Sequence, residues 1–127
     1  MRELVASVRP DLLQAVIPLV GEDPFARVDE STRFAQPAIF CASLAGWERA
    51  RGQIDAGAFA GHSLGELTAL VAAGALDERD GLRLVVLRGL LMSISGEDAG
   101  GGTMLTLLGA TPAQAAAIAA RHGVSLA

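Results

Sequence analysis

Apolar positions along the chain follow a helical period over most of its length. Leu12, Leu13, Val16, Ile17 and Val20 recur at three- and four-residue intervals. They give one apolar face to a segment that Pro10 can start from its first turn, and residues 2–20 as a whole read as helix. Gly21 and Pro24 mark a loop through about Ser31. Ala38, Phe40, Cys41, Leu44, Ala45 and Trp47 are mostly apolar and predict a largely buried helix. Ser31 and Thr32 can cap it, and Pro37 is acceptable only in its first turn. Behind an Asp77 cap, a helix from 78 to about 95 carries Leu82, Leu84, Val85, Val86, Leu87, Leu90, Leu91 and Met92, apolar almost all round. Such a helix is normally enclosed on most sides. Thr111-Pro112-Ala113-Gln114 is a capping box with proline at the first helical position, opening a helix that stops at Gly123. Shorter apolar runs at 58–60, 104–108 and 124–127 read as strands, with 97–102 a flexible glycine-rich connector.

One stretch departs from this alternation. Ala60-Gly61-His62-Ser63-Leu64-Gly65-Glu66 follows a short apolar run and precedes a helical one that Gly74 ends. It fits the G-x-S-x-G pattern of a nucleophile elbow, in which a strand turns abruptly into a helix and leaves one serine hydroxyl at the apex. Glycines two before and two after Ser63 remove Cβ atoms that would clash in so tight a turn. The Leu64 amide would lie at the new helix's N-terminus, where unpaired donors and the dipole favour an oxyanion. The bland alternative is an ordinary glycine-rich loop. His62, adjacent to Ser63, is poorly placed as its base and reads as filling a niche under the turn. Glu66 reads as a helix-stabilising carboxylate in the first turn, and His122 as a surface residue near a helix C-terminus. Gln36 is either an exposed loop amide or an amide facing the serine. Arg88 lies inside an apolar run, one turn from Leu84 and from Met92, and needs an anion. That anion is either a protein carboxylate or a ligand carboxylate held by the bidentate fork.

Composition narrows the function classes. Of 127 residues, 51% are apolar and 19% charged, which fits a packed core better than disorder. A formal charge of −4 without a basic cluster argues against nucleic acid or an anionic membrane as partner. The single cysteine, Cys41, cannot form an internal disulfide. The start, Met1-Arg2-Glu3-Leu4, has no signal-peptide core and no apolar run approaches transmembrane length, so a cytoplasmic protein is expected. There is no internal repeat and no metal-ligand cluster, and no cofactor or metal is expected.

Three segments together carry a resemblance. Thr32-Arg33-Phe34-Ala35-Gln36-Pro37-Ala38, then Ala60 through Glu66, then Leu87-Arg88-Gly89, in this order and spacing, resemble the malonyl-CoA:acyl carrier protein transacylases. The related acyltransferase domains of fatty-acid and polyketide synthases share the pattern. The resemblance spans roughly residues 10–127. It implies ping-pong transfer of malonyl from malonyl-CoA through an acyl-Ser63 to the phosphopantetheine thiol of acyl carrier protein. It implies Arg88 on the free malonyl carboxylate and Gln36 near the site, and Leu64 is similar to malonyl-type rather than methylmalonyl-type members. Two departures accompany it. The family's opening strand and glycine-glutamine-glycine turn do not precede Met1, and neither His62 nor His122 matches the family's downstream general base.

The chain is accordingly expected to be an internal piece of a transacylase. Residues 1–101 would be part of the acyltransferase core, and 102–127 the beginning of the small inserted α+β (ferredoxin-like) subdomain. The expected fold is α/β, a three-layer parallel sheet with an α/β-hydrolase-like elbow, truncated. Loss of sheet strands would leave the helix at 82–92 partly uncovered and prone to association. The competing readings are a serine thioesterase or hydrolase with the same elbow, and a non-catalytic remnant or partner subunit.

Overall fold

The computed structural model describes residues 1–98, 100 and 105–126. Helices α1 (Arg2–Val8) and α2 (Pro10–Val20) meet at Arg9, with Pro10 in the first position of α2 where its missing N–H is not needed. Gly21, at φ 94°, ends α2 in the left-handed conformation. A short 3₁₀ turn, Pro24–Ala26, leads to α3 (Thr32–Ala50), and a second one, Arg51–Gln53, follows it. Then come α4 (Leu64–Ala72), α5 (Glu78–Asp98) and α6 (Pro112–His122).

Helix α3 is the centre of the assembly: α1, α2, α4 and α5 all pack against it. Its buried side chains Phe34, Phe40, Cys41, Leu44 and Ala45 join Val5 of α1, Leu12, Val16 and Val20 of α2, and Leu82 and Val85 of α5 in one core. The Ser31 hydroxyl accepts from the Arg33 amide at 3.2 Å and fixes the helix start at Thr32. Pro37 thereby becomes the sixth helical residue, a turn deeper than expected from sequence. Its fully buried ring joins the core, which offsets the hydrogen bond that the Arg33 carbonyl forgoes.

Helix α5 packs closely at two glycines, Gly81 against α4 and Phe40 of α3, and Gly89 against the start of α3. A Cβ on Gly81 would stand 2.7 Å from Val71 Cγ2, and one on Gly89 would stand 2.7 Å from the Thr32 carbonyl oxygen. At that second crossing Thr32 Oγ1 donates to the Gly89 carbonyl at 3.0 Å, and the Ser31 and Ser93 hydroxyls are 2.8 Å apart. Arg9 ties the other end of α5 down, its guanidinium bonded to Asp11 and Glu78.

The parallel sheet expected from sequence is not formed: among the described residues there are six α-helices, two 3₁₀ turns and no strand. A strand exists through hydrogen bonds to a neighbour, and among the described residues no backbone hydrogen bond joins one candidate run to another. Residues 105–107 and 124–126 are exposed and irregular; 103, Met104 and Ala127 lie outside the described residues, as do 99, 101 and 102 of the expected connector. The α/β description is therefore replaced by a helical assembly. Of the two expectations for α5, enclosure on most sides gives way to the partial exposure expected of residues 82–92. Its Gly81, Leu82, Val85 and Gly89 face is buried, while Leu84, Leu87 and Leu91 are 46%, 51% and 53% exposed. No helix among the described residues is long and apolar enough to cross a membrane. Helix α6, closed by the expected capping box and by Gly123 at φ 64°, makes at most marginal contact with the others.

Candidate active site

Ser63 is the residue before α4 and holds φ 56°, ψ −114°. A left-handed φ on a residue with a side chain is strained, and here it turns the chain sharply into the helix. Three hydrogen bonds hold the turn: Gly65 N to His62 O at 2.9 Å, Glu66 N to Ser63 O at 3.1 Å, and Ser63 N to a Glu66 carboxylate oxygen at 3.1 Å. The last bond gives Glu66 the helix-stabilising place expected of it. A Cβ on Gly61 would fall 2.0 Å from the Gly65 carbonyl oxygen, so only glycine fits there. Gly65 differs from the expectation, since its Cβ would meet nothing within 4 Å. It faces a groove of about 260 Å³ with Ser43, Trp47, Phe59, Thr68 and Ala72. Trp47 and Phe59 flank this groove edge to face, their ring centroids 4.9 Å apart.

The Leu64 amide opens α4 and makes no hydrogen bond among the described residues. It is a free donor beside Ser63, at the positive end of a helix dipole.

The close crossing at Gly89 brings Arg88 of α5 to Gln36 of α3 and to Ser63. One Arg88 nitrogen donates to the Gln36 side-chain oxygen, the other to Ser63 Oγ at 2.8 Å. Gln36 is a buried helical residue, not the exposed loop amide that spacing alone allowed. Its amide nitrogen donates to the sulfur of Met92 at 3.1 Å. The Arg88 partners found among the described residues are both neutral, and a protein carboxylate is not among them. A guanidinium so placed can accept an anionic group within one hydrogen bond of a serine oxygen. Because Ser63 Oγ accepts from Arg88, its own proton remains available to a base.

His62 is exposed, so the niche expected for it under the turn is not there. Neither His62 nor the exposed His122 hydrogen-bonds Ser63 among the described residues. Cys41 is buried, and loss of solvation pushes its thiol up to about 12, so it is no competing nucleophile. Among the described residues no group of acidic, histidine and cysteine side chains could hold a metal. Sequence reasoning placed Met92 only on an apolar face; the available signal was its position one turn after Arg88.

The acyl transferase domain family matches residues 11–127. A polyketide biosynthesis protein, ThaF of Burkholderia thailandensis, is 43% identical over 84% of this chain and 9% of its own length. A polyketide biosynthesis malonyl CoA-acyl carrier protein transacylase, BaeC of Bacillus velezensis, is 37% identical over 81% of this chain and 35% of its own length. The malonyl CoA-acyl carrier protein transacylase of Haemophilus influenzae is 39% identical over 72% of this chain and 30% of its own length. The chain thus spans about a third or less of these relatives. No solved structure matches.

Proposed function

Because the chain belongs to the acyl transferase domain family, we propose that it serves the transfer of malonyl from malonyl-CoA to the phosphopantetheine thiol of an acyl carrier protein. Ser63 Oγ attacks the thioester carbonyl; the C–O bond forms, the C–S bond breaks, and coenzyme A leaves as a thiol with the serine's proton. The carrier thiol then reverses these steps on the malonyl ester. The Leu64 amide donates to the carbonyl oxygen as it becomes an oxyanion. Arg88 turns from Ser63 to the free carboxylate of the malonyl group, and Gln36 holds the other arm of its fork. His62 and His122 are not assigned to the proton transfer.

The observation that carries this reading is the 2.8 Å contact between Arg88 and Ser63. In a malonyl ester the carboxylate is separated from the acyl carbon by one methylene, so its charge lies close to the serine oxygen. A guanidinium touching that oxygen suits a short diacid and leaves an acetyl group without a partner for the cation. The division near residue 101, with 102–127 as the opening of an inserted subdomain, belongs to the same proposal. What supports it is the separateness of α6.

Intact-protein mass spectrometry after incubation with malonyl-CoA or acetyl-CoA tests the proposal. A malonyl adduct should form and vanish in Ser63→Ala. Arg88→Ala should lower malonyl loading by about ten-fold or more, the worth of a charge-assisted bond, with a far smaller effect on acetyl. Equal losses would show Arg88 to be structural. Coenzyme A released continuously without a thiol acceptor would favour a hydrolase.

A further inference from the structure

Arg88 is useful to a carboxylate only if its fork is held at a fixed angle, and that depends on which end of the Gln36 amide faces it. The two ends of a glutamine amide are nearly the same shape but opposite in hydrogen-bonding sense. With the oxygen towards Arg88, acceptor meets donor, as found here. With the ends exchanged, the amide N–H groups would confront the guanidinium N–H groups and no bond could form. The side chain is buried, 6% exposed, so water does not settle the choice. The other neighbour of the amide is the sulfur of Met92, 3.1 Å from the amide nitrogen. A thioether sulfur accepts hydrogen bonds and cannot donate them. It therefore satisfies the amide only in the orientation that turns the oxygen to Arg88.

We propose that Met92 is a positioning residue: its sulfur fixes the orientation of the Gln36 amide, which in turn aims Arg88 at the acyl carboxylate beside Ser63. This rests on the malonyl reading for its consequence, though the contact itself is independent of it. Geometry places the three residues in series. Arg88 and Met92 are one turn apart on α5, and Gln36 reaches across from α3 between them. Leucine at position 92 would preserve bulk and remove the acceptor. Glutamine there would restore an acceptor on a side chain of similar length.

The test compares Met92→Leu and Met92→Gln with the unaltered full chain, after unfolding curves show that the variants are folded. Malonyl loading from malonyl-CoA should fall about ten-fold in Met92→Leu, acetyl loading should hold, and Met92→Gln should recover part of the loss. Equal loss of malonyl and acetyl loading, or no loss, would overturn the proposal. If the unaltered chain shows no malonyl preference, the malonyl reading fails, and nitrogen-15 NMR of the Gln36 side chain decides on the contact alone. Met92→Leu should then shift both amide proton resonances and speed their exchange with solvent about ten-fold. Unchanged resonances and exchange would overturn the positioning role.

Discussion

Ser63, at φ 56°, is strained in a way that only its surroundings maintain, and Gly61 is the residue on which the turn leans most. Gly61→Ala puts a carbon 2.0 Å from a backbone oxygen that cannot move without unwinding the first turn of α4. Labelling of Ser63 by a fluorophosphonate should be lost in this variant. Gly65→Ala meets open space and should be tolerated or raise stability by about 0.5–1 kcal/mol through helix propensity. Equal sensitivity at both glycines would contradict the geometry. Cys41 offers a prediction in pH. Burial raises its thiol from 9.0 to about 12, so between these values the native state retains a proton that the unfolded chain has lost. Its contribution is complete below about pH 9 and declines as pH rises towards 12. Urea melts across that range should show falling stability that Cys41→Ala largely removes.

Among the elements, the crossing of α3 and α5 decides whether the site exists. Gly89→Ala would place a methyl group 2.7 Å from the Thr32 carbonyl oxygen and push the helices apart. It should cost about 1–3 kcal/mol, as overpacking does, and separate Arg88 from Gln36. A variant with unchanged melting temperature and malonyl preference would show that the crossing yields easily. Helix α6 is held mainly by local signals: Gln114 accepts from the Thr111 amide at 2.9 Å, and Thr111 Oγ1 from the Gln114 amide at 3.3 Å. Thr111→Ala should weaken it by about 1 kcal/mol, visible as lost helical circular dichroism with the α1–α5 core intact. Such signals explain what was readable from sequence. Pro10, Ser31, Asp77, Thr111 and Gly123 state helix ends in the identity of one or two residues, and the helices begin or end beside them. Strands carry no comparable local statement. The runs at 58–60 and 104–108 were read as strands from apolar content, which does not say what pairs with them. The elbow and Arg88 stood out by motif and by misplaced charge. Gln36 was left open between a loop amide and an amide facing the serine until the resemblance set it near the site, and Met92 did not stand out at all, because a sulfur acceptor looks like any apolar side chain until its neighbour is known.

At the scale of the molecule, α1, α2, α4 and α5 all pack on α3, and the outward faces of α5 are left to solvent with Leu84, Leu87 and Leu91. The chain should therefore self-associate as concentration rises. Leu87→Glu should shift its sedimentation towards monomer without lowering the melting temperature, whereas a variant that sediments unchanged would exclude this face. Acid should weaken the pair that Arg9 makes with Asp11 at the start of α2. Arg9 bonds Asp11 and lowers its carboxyl below 3.8, so the stabilisation is present above that value and lost as pH falls through the lowered one. Edge-to-face with Phe59, the ring of Trp47 has a further use. Trp47 is the only tryptophan and the chain has no tyrosine, so emission excited at the red edge of the indole band comes from one ring beside the segment entering the elbow. The protein thus carries its own optical reporter. Opening of residues 59–61, or a ligand entering the groove they share with α4, can be followed as a change in colour and lifetime, with no dye attached.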